Sequence, residues 1–97
     1  MQTLDQIQQV LRAQLPRLQE EFQVESLGVF GSYARREAGP ESDLDLLVSF
    51  HRPIGLLRFM ALEERLSDLV GVPVDLVTRK ALKPRLGRRI LKEVSYL

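Results

Sequence analysis

Two short apolar runs, each carrying aspartate in its first half, bracket a helical segment and leave little freedom in how this chain folds. "DLDLLVSF" (43–50) and "VPVDLVT" (72–78) have the length and composition of strands. Between them, "IGLLRFMALEERLSDLVG" places Leu56, Phe59, Met60, Leu66, Leu69 and Val70 on the apolar side of a helix, and Gly71 stops it. A helical connection of this length suits a crossover, which predicts two parallel strands with Asp75 level with Asp43 and Asp45.

The remaining segments fit around that unit. Thr3 and Gln6 are spaced for a capping box, and Leu4, Ile7, Leu11, Leu15, Leu18 and Phe22 form the stripe of a first helix, in which Pro16 predicts a kink or a break. "VESLGVF" (24–30) reads as a strand ending in a tight turn at Gly31, Ser32 to Glu37 as the start of a short helix, and Gly39-Pro40 as a loop. The last helix is expected from near Ala81, with Pro84 in its first turn and a stripe of Leu82, Leu86, Ile90, Val94 and Leu97. The order α-β-(α)-β-α-β-α predicts an α/β (α+β) fold in one domain over residues 1–97.

A chain of 97 residues can build one core, burying roughly two-thirds of the surface its unfolded form exposes. The absence of cysteine excludes disulfides and thiolate metal sites. Polar residues interrupt the N-terminal stretch too often for a signal-peptide core, and no apolar run approaches a membrane span, so a cytoplasmic protein is expected. The net charge of +1 conceals a split: residues 1–78 carry seven Lys/Arg against twelve Asp/Glu, and residues 79–97 carry seven against one. Such a tail could bind nucleic acid through its phosphates, but the apolar stripe running through it favours a docked amphipathic helix with a solvated basic face.

Strand residues i and i+2 share a face, so Asp43 and Asp45 project together while Leu44, Leu46 and Val48 turn into the core. At about 5 Å and an effective dielectric near 20, their repulsion is roughly 3 kcal/mol, a fair fraction of a small domain's stability. Asp75, isolated between Val74 and Leu76, joins them if the strands are parallel. Oxygen-only clusters suit Mg²⁺, which takes few carboxylates and leaves its other positions to water and phosphate. Two such ions about 4 Å apart could activate an attacking oxygen and neutralise a leaving pyrophosphate. For Gly31-Ser32 to reach the same place, the first strand must run antiparallel to the second, giving a small mixed three-stranded sheet. Gly31 then lets a phosphate approach the backbone, Ser32 offers a hydroxyl, the following helix offers its first N–H groups, and Arg35 could pair with phosphate or with an aspartate.

Each feature alone has a purely structural reading: Gly-Ser as a strand-to-helix turn, Ser42-Asp43 as the start of a strand, Asp75 as an ion-pair partner of Arg35 or Arg36. Their joint order and spacing point to a site. A haloacid-dehalogenase arrangement is excluded because there the apolar strand precedes Asp-x-Asp. A calcium loop is excluded because Leu47 stands where the next ligand belongs. His51, the only histidine, reads as a surface or loop residue, and Tyr33 and Tyr96 as half-buried packing.

Through "FGSYARREAGPESDLDLLVSF", "VDLV" and "ALKPRLGRRILKEVSYL" the chain resembles, over nearly its whole length, the minimal nucleotidyltransferases, small members of the DNA polymerase β-like nucleotidyltransferase superfamily. The resemblance implies that superfamily's fold, with Gly31 and Ser32 binding a nucleoside triphosphate and Asp43, Asp45 and Asp75 holding two Mg²⁺ ions. Arg35 and Ser42 are further candidates for the nucleotide site. Asp75 would also help deprotonate an acceptor hydroxyl, and in-line attack on the α-phosphorus of ATP would release pyrophosphate and leave AMP on the acceptor. Many members of the family are antitoxins that neutralise a HEPN-domain ribonuclease encoded beside them, by attaching AMP to one of its tyrosines. Relatives that extend nucleic acids carry additional domains, so the length favours a protein acceptor over a nucleic-acid substrate. The alternatives are the same fold neutralising its partner by contact alone, and a transferase for a small hydroxylated molecule such as an antibiotic. The chain departs from the family at Arg36, where Gly is common, which bears on the path of the loop and its fit to the nucleotide.

Overall fold

The computed structural model describes residues 3–97. Helix α1 (Leu4–Phe22) starts at the capping box: Thr3 Oγ1 accepts from the Gln6 N–H at 3.3 Å, and Gln6 Oε1 accepts from the Thr3 N–H at 2.9 Å. Leu4, Ile7, Leu11, Leu18 and Phe22 are buried along one face. The break that Pro16 allows does not occur, and α1 continues through it as one element. Pro16 is exposed, so water can solvate the carbonyl that its missing N–H leaves free, and the apolar stripe on both sides of it packs into a single cluster.

Strand β1 (Val24–Phe30) leads into α2 (Gly31–Ala34), a single turn that is shorter than the 32–37 segment suggests. Strand β2 (Leu44–Phe50) pairs antiparallel with β1, placing Phe30 opposite Asp45. It pairs parallel with β3 (Val74–Thr78), placing Asp45 opposite Asp75, as the crossover requires. The crossover helix α3 (Leu56–Val70) buries Leu62, Leu66 and Val70 and ends at Gly71 in the left-handed conformation, φ 73°.

The sheet has four strands, in the order β3-β2-β1-β4, where three were expected. After a 3-10 turn (Arg79–Ala81), α4 (Pro84–Glu93) opens on Pro84 and stops before Val94 and Leu97, and the additional strand β4 (Ser95–Tyr96) pairs antiparallel with β1. The cause lies in β1. Gly28 has no side chain where the returning chain passes: a Cβ there would stand 2.6 Å from Val94 Cγ2 and 3.0 Å from Tyr96 Cδ1. The Leu97 N–H donates to the Leu27 carbonyl at 3.0 Å, and Gln8 Nε2 donates to Ser95 Oγ at 2.7 Å. Backbone groups of β1 that would form an open edge are covered.

Alternation along the strands divides the core. Val29, Leu46, Val48 and Leu76 pack with α1 and α3, whereas Phe30 and Leu47 pack with Ile90 of α4 and with Val77, Leu82 and Val94. Asp45 shares its face with Leu47, and Asp75 with Val77, so both carboxylates lie on the α4 side. Among the described residues no helix is long and apolar enough to cross a membrane.

Candidate active site

Asp45 and Asp75 are direct partners in the parallel register, which sets their backbones one strand spacing apart, about 4.8 Å. The junction is fixed by the Leu44 N–H, which donates to the Pro73 carbonyl at 2.8 Å. Asp43 stands one residue before β2 and is exposed, as is Asp75, while Asp45 is half-buried. Among the described residues none of the three carboxylates has a hydrogen bond or an ion pair. The Asp45 carboxyl is pushed above the ordinary aspartate range, first by burial and then by the charges of Asp75 and Asp43, with Arg35 acting in the opposite direction. An all-oxygen donor set with no cation partner fits Mg²⁺. The three are neighbours rather than a closed cage: the described residues hold no group of three or more acidic or histidine side chains already gathered around a metal position.

The Gly31-Ser32 turn meets this cluster because Phe30 pairs with Asp45. Gly31 has φ 73°, and a Cβ on it would stand 2.1 Å from Asp45 Oδ2, so both the backbone conformation and the packing demand glycine. The Ser32 hydroxyl is half-buried and makes no hydrogen bond among the described residues. Arg35 is held by acids other than the aspartates, with Nη1 3.0 Å from Glu93 Oε2 and Nε 3.1 Å from Glu37 Oε2. Ser42 serves the loop: its Oγ accepts from the Gly39 N–H at 2.9 Å, and its own N–H donates to the Gly39 carbonyl at 3.1 Å, which fixes the approach to Asp43. Arg36 sits at φ 59°, a conformation that glycine adopts freely, and its guanidinium reaches Asp5 at 3.1 Å. The loop therefore takes its left-handed path with a non-glycine residue. With Arg35 and Arg36 both paired elsewhere, the ion-pair reading of Asp75 is not realised.

Helix α4 completes the site with residues that the motifs do not mark. Leu86, Arg89, Ile90 and Glu93 line a cleft of about 340 Å³ together with Phe30, Gly31, Ser32, Arg35 and Asp45. One signal in the sequence pointed here: Glu93 is the single acid among residues 79–97. A larger cleft of about 1000 Å³ lies at the other end of the sheet, among Phe50, Ile54, Phe59 and Leu76, and contains none of the three aspartates. His51 belongs to that end, exposed and 3.6 Å from Glu25. Tyr33 is buried in the core and Tyr96 is exposed on β4.

Unpaired carboxylates on adjacent parallel strands stand beside the Gly31-Ser32 turn, an arrangement suited to the transfer of a phosphoryl-linked group, and the fold around them is that of a nucleotidyltransferase. Residues 11–97 match the Nucleotidyltransferase domain family, and the chain belongs to that family and is an enzyme of that class. Protein adenylyltransferase MntA of Thermococcus cleftensis is 45% identical over 97 residues, covering 100% of this chain and 98% of that protein. A solved structure described as a minimal nucleotidyltransferase superposes with a TM-score of 0.85 at 38% identity, over 99% of this chain and 97% of that one. A chain from the complex of the tri-AMPylated Shewanella oneidensis HEPN toxin with its MNT antitoxin shares the fold, with a TM-score of 0.65 at 19% identity over 92% of this chain and 70% of that one.

Proposed function

We propose that this chain moves AMP from ATP to a tyrosine hydroxyl of a HEPN-domain ribonuclease toxin, acting as a cytoplasmic antitoxin of one domain over residues 1–97. The observation that supports this most is the Asp45–Asp75 register pair beside Gly31-Ser32, in a chain 45% identical over its length to a protein adenylyltransferase. In this reading Gly31 admits the triphosphate to the backbone, Ser32 donates its free hydroxyl to it, and Arg35 pairs with a phosphate. Ser42 keeps the loop that carries Asp43 in place. Asp43, Asp45 and Asp75 hold two Mg²⁺ ions, whose contribution when bound is to neutralise charge on the phosphates.

Asp75 takes the proton of the acceptor hydroxyl as that oxygen bonds to the α-phosphorus, and the bond to pyrophosphate breaks with its electron pair leaving on pyrophosphate. The protein orients the reactants and forms no covalent link to them. The test is transfer of label from α-³²P-ATP, with Mg²⁺, to a co-expressed HEPN-domain partner, beside an Asp43→Asn/Asp45→Asn version. Label on the partner that disappears with the double substitution is the expected result. No label, with neutralisation surviving the substitutions, would leave a contact inhibitor instead.

A further inference from the structure

Glu93 occupies the place that the proposed reaction reserves for phosphate. Its Oε1 accepts from the Gly31 N–H at 3.2 Å, and its two oxygens accept from Arg35 Nη1 at 3.3 and 3.0 Å. These donors are the glycine backbone and the guanidinium that the functional reading assigns to the nucleotide. The Glu93 side chain is 21% exposed and lines the cleft beside Asp45. Its position is not explained by its own helix: Glu93 is the last residue of α4, where the helix dipole disfavours an anion. Nor does it relieve the aspartates, since its charge adds to the effects that raise the Asp45 carboxyl. Arg89, one turn earlier on α4, lines the same cleft and has no hydrogen bond or ion pair among the described residues.

Resting on the nucleotide reading above, we propose that Glu93 is a resident stand-in for the substrate's phosphate: it holds the Gly31 N–H and Arg35 in the free protein, must yield both when ATP enters, and so sets the affinity for the triphosphate. Carboxylate and phosphate compete for these donors because both are anionic acceptors that a guanidinium binds through paired N–H groups. Releasing Glu93 frees Arg35 for the incoming charge, and Arg89 is a cation already waiting in the cleft. Glu93 is thus a positioning residue that acts through the phosphate donors.

The test is calorimetric titration of wild type, Glu93→Gln and Glu93→Asp with ATP in the presence of Mg²⁺, with adenosine as the phosphate-free control. Glu93→Gln removes the competing charge at constant size and is expected to bind ATP about tenfold tighter, tenfold being about 1.4 kcal/mol, with adenosine unchanged and KM for ATP reduced more than kcat. Glu93→Asp, too short to reach both donors, is expected to fall between the two. The proposal fails if Glu93→Gln binds ATP no tighter than wild type, or if ATP and adenosine shift together, as a merely structural role would make them. Should the Glu93→Gln protein not fold in a thermal melt, Glu93→Asp decides by the same criterion. Wild type that binds no ATP at all would overturn the nucleotide reading itself, a different failure from wild type and variant binding it equally.

Discussion

Asp45 is half-buried beside two other carboxylates, without a bonded cation among the described residues, and folding raises its pKa above that of an ordinary aspartate. Because its pKa is raised on folding, the stability it contributes is fully present in acid, below the pKa of an unfolded aspartate, and is lost as pH rises through the raised folded value. Asp45→Asn removes that loss. The variant is therefore expected to gain on wild type in thermal melts as pH rises from acid, with the margin level at neutral pH. Added Mg²⁺ is expected to reverse the ranking, raising the wild-type Tm and leaving the variant nearly unmoved; a variant that loses stability at neutral pH without Mg²⁺ would contradict this. Arg36 makes the complementary case. Its φ of 59° is a strained conformation, and its ion pair with Asp5 is exposed on both sides. Arg36→Gly is expected to stabilise the chain by about 1 kcal/mol in chemical denaturation, since the left-handed cost to a non-glycine residue exceeds the worth of such a pair.

Among the elements, the path from β2 through α3 to β3 was legible because a crossover admits only parallel strands, and the aspartates had to share one end if Gly31 was to reach them. The fourth strand was hidden because Val94 and Leu97 prolong the helical spacing of Leu86 and Ile90. The bare backbone of Gly28, far away in sequence, makes the room in which the chain turns extended after Glu93. Glu93 stands out in the sequence only as the single acid of the basic tail, and its role does not, because the donors that hold it belong to the turn after β1. Gly28→Val is expected to displace β4 and to destabilise the chain by about 1–3 kcal/mol, the usual cost of overpacking. It is also expected to weaken ATP binding, because α4 loses its anchor on the sheet. A Gly28→Val protein with native stability and an intact far-ultraviolet spectrum would show that the edge is dispensable.

Across the whole molecule the sheet has two unlike ends. One carries Asp43, Asp45 and Asp75, with Asp45 in the cleft that Gly31-Ser32 shares with the basic helix α4, and the other opens a wider apolar cleft around Phe50 and Phe59. Volume alone would place a nucleotide in the wider cleft. The proposed function puts it at the smaller one, where unpaired carboxylates suit a cation and the glycine turn lets a phosphate approach the backbone once Glu93 yields. The most direct test is a crystal soaked with Mn²⁺ and a non-hydrolysable ATP analogue, read by anomalous scattering. The prediction is metal peaks among Asp43, Asp45 and Asp75 with the triphosphate over Gly31-Ser32 and Glu93 withdrawn from Arg35. Analogue bound beside Phe50 and Phe59, with no metal at the aspartates, would contradict it.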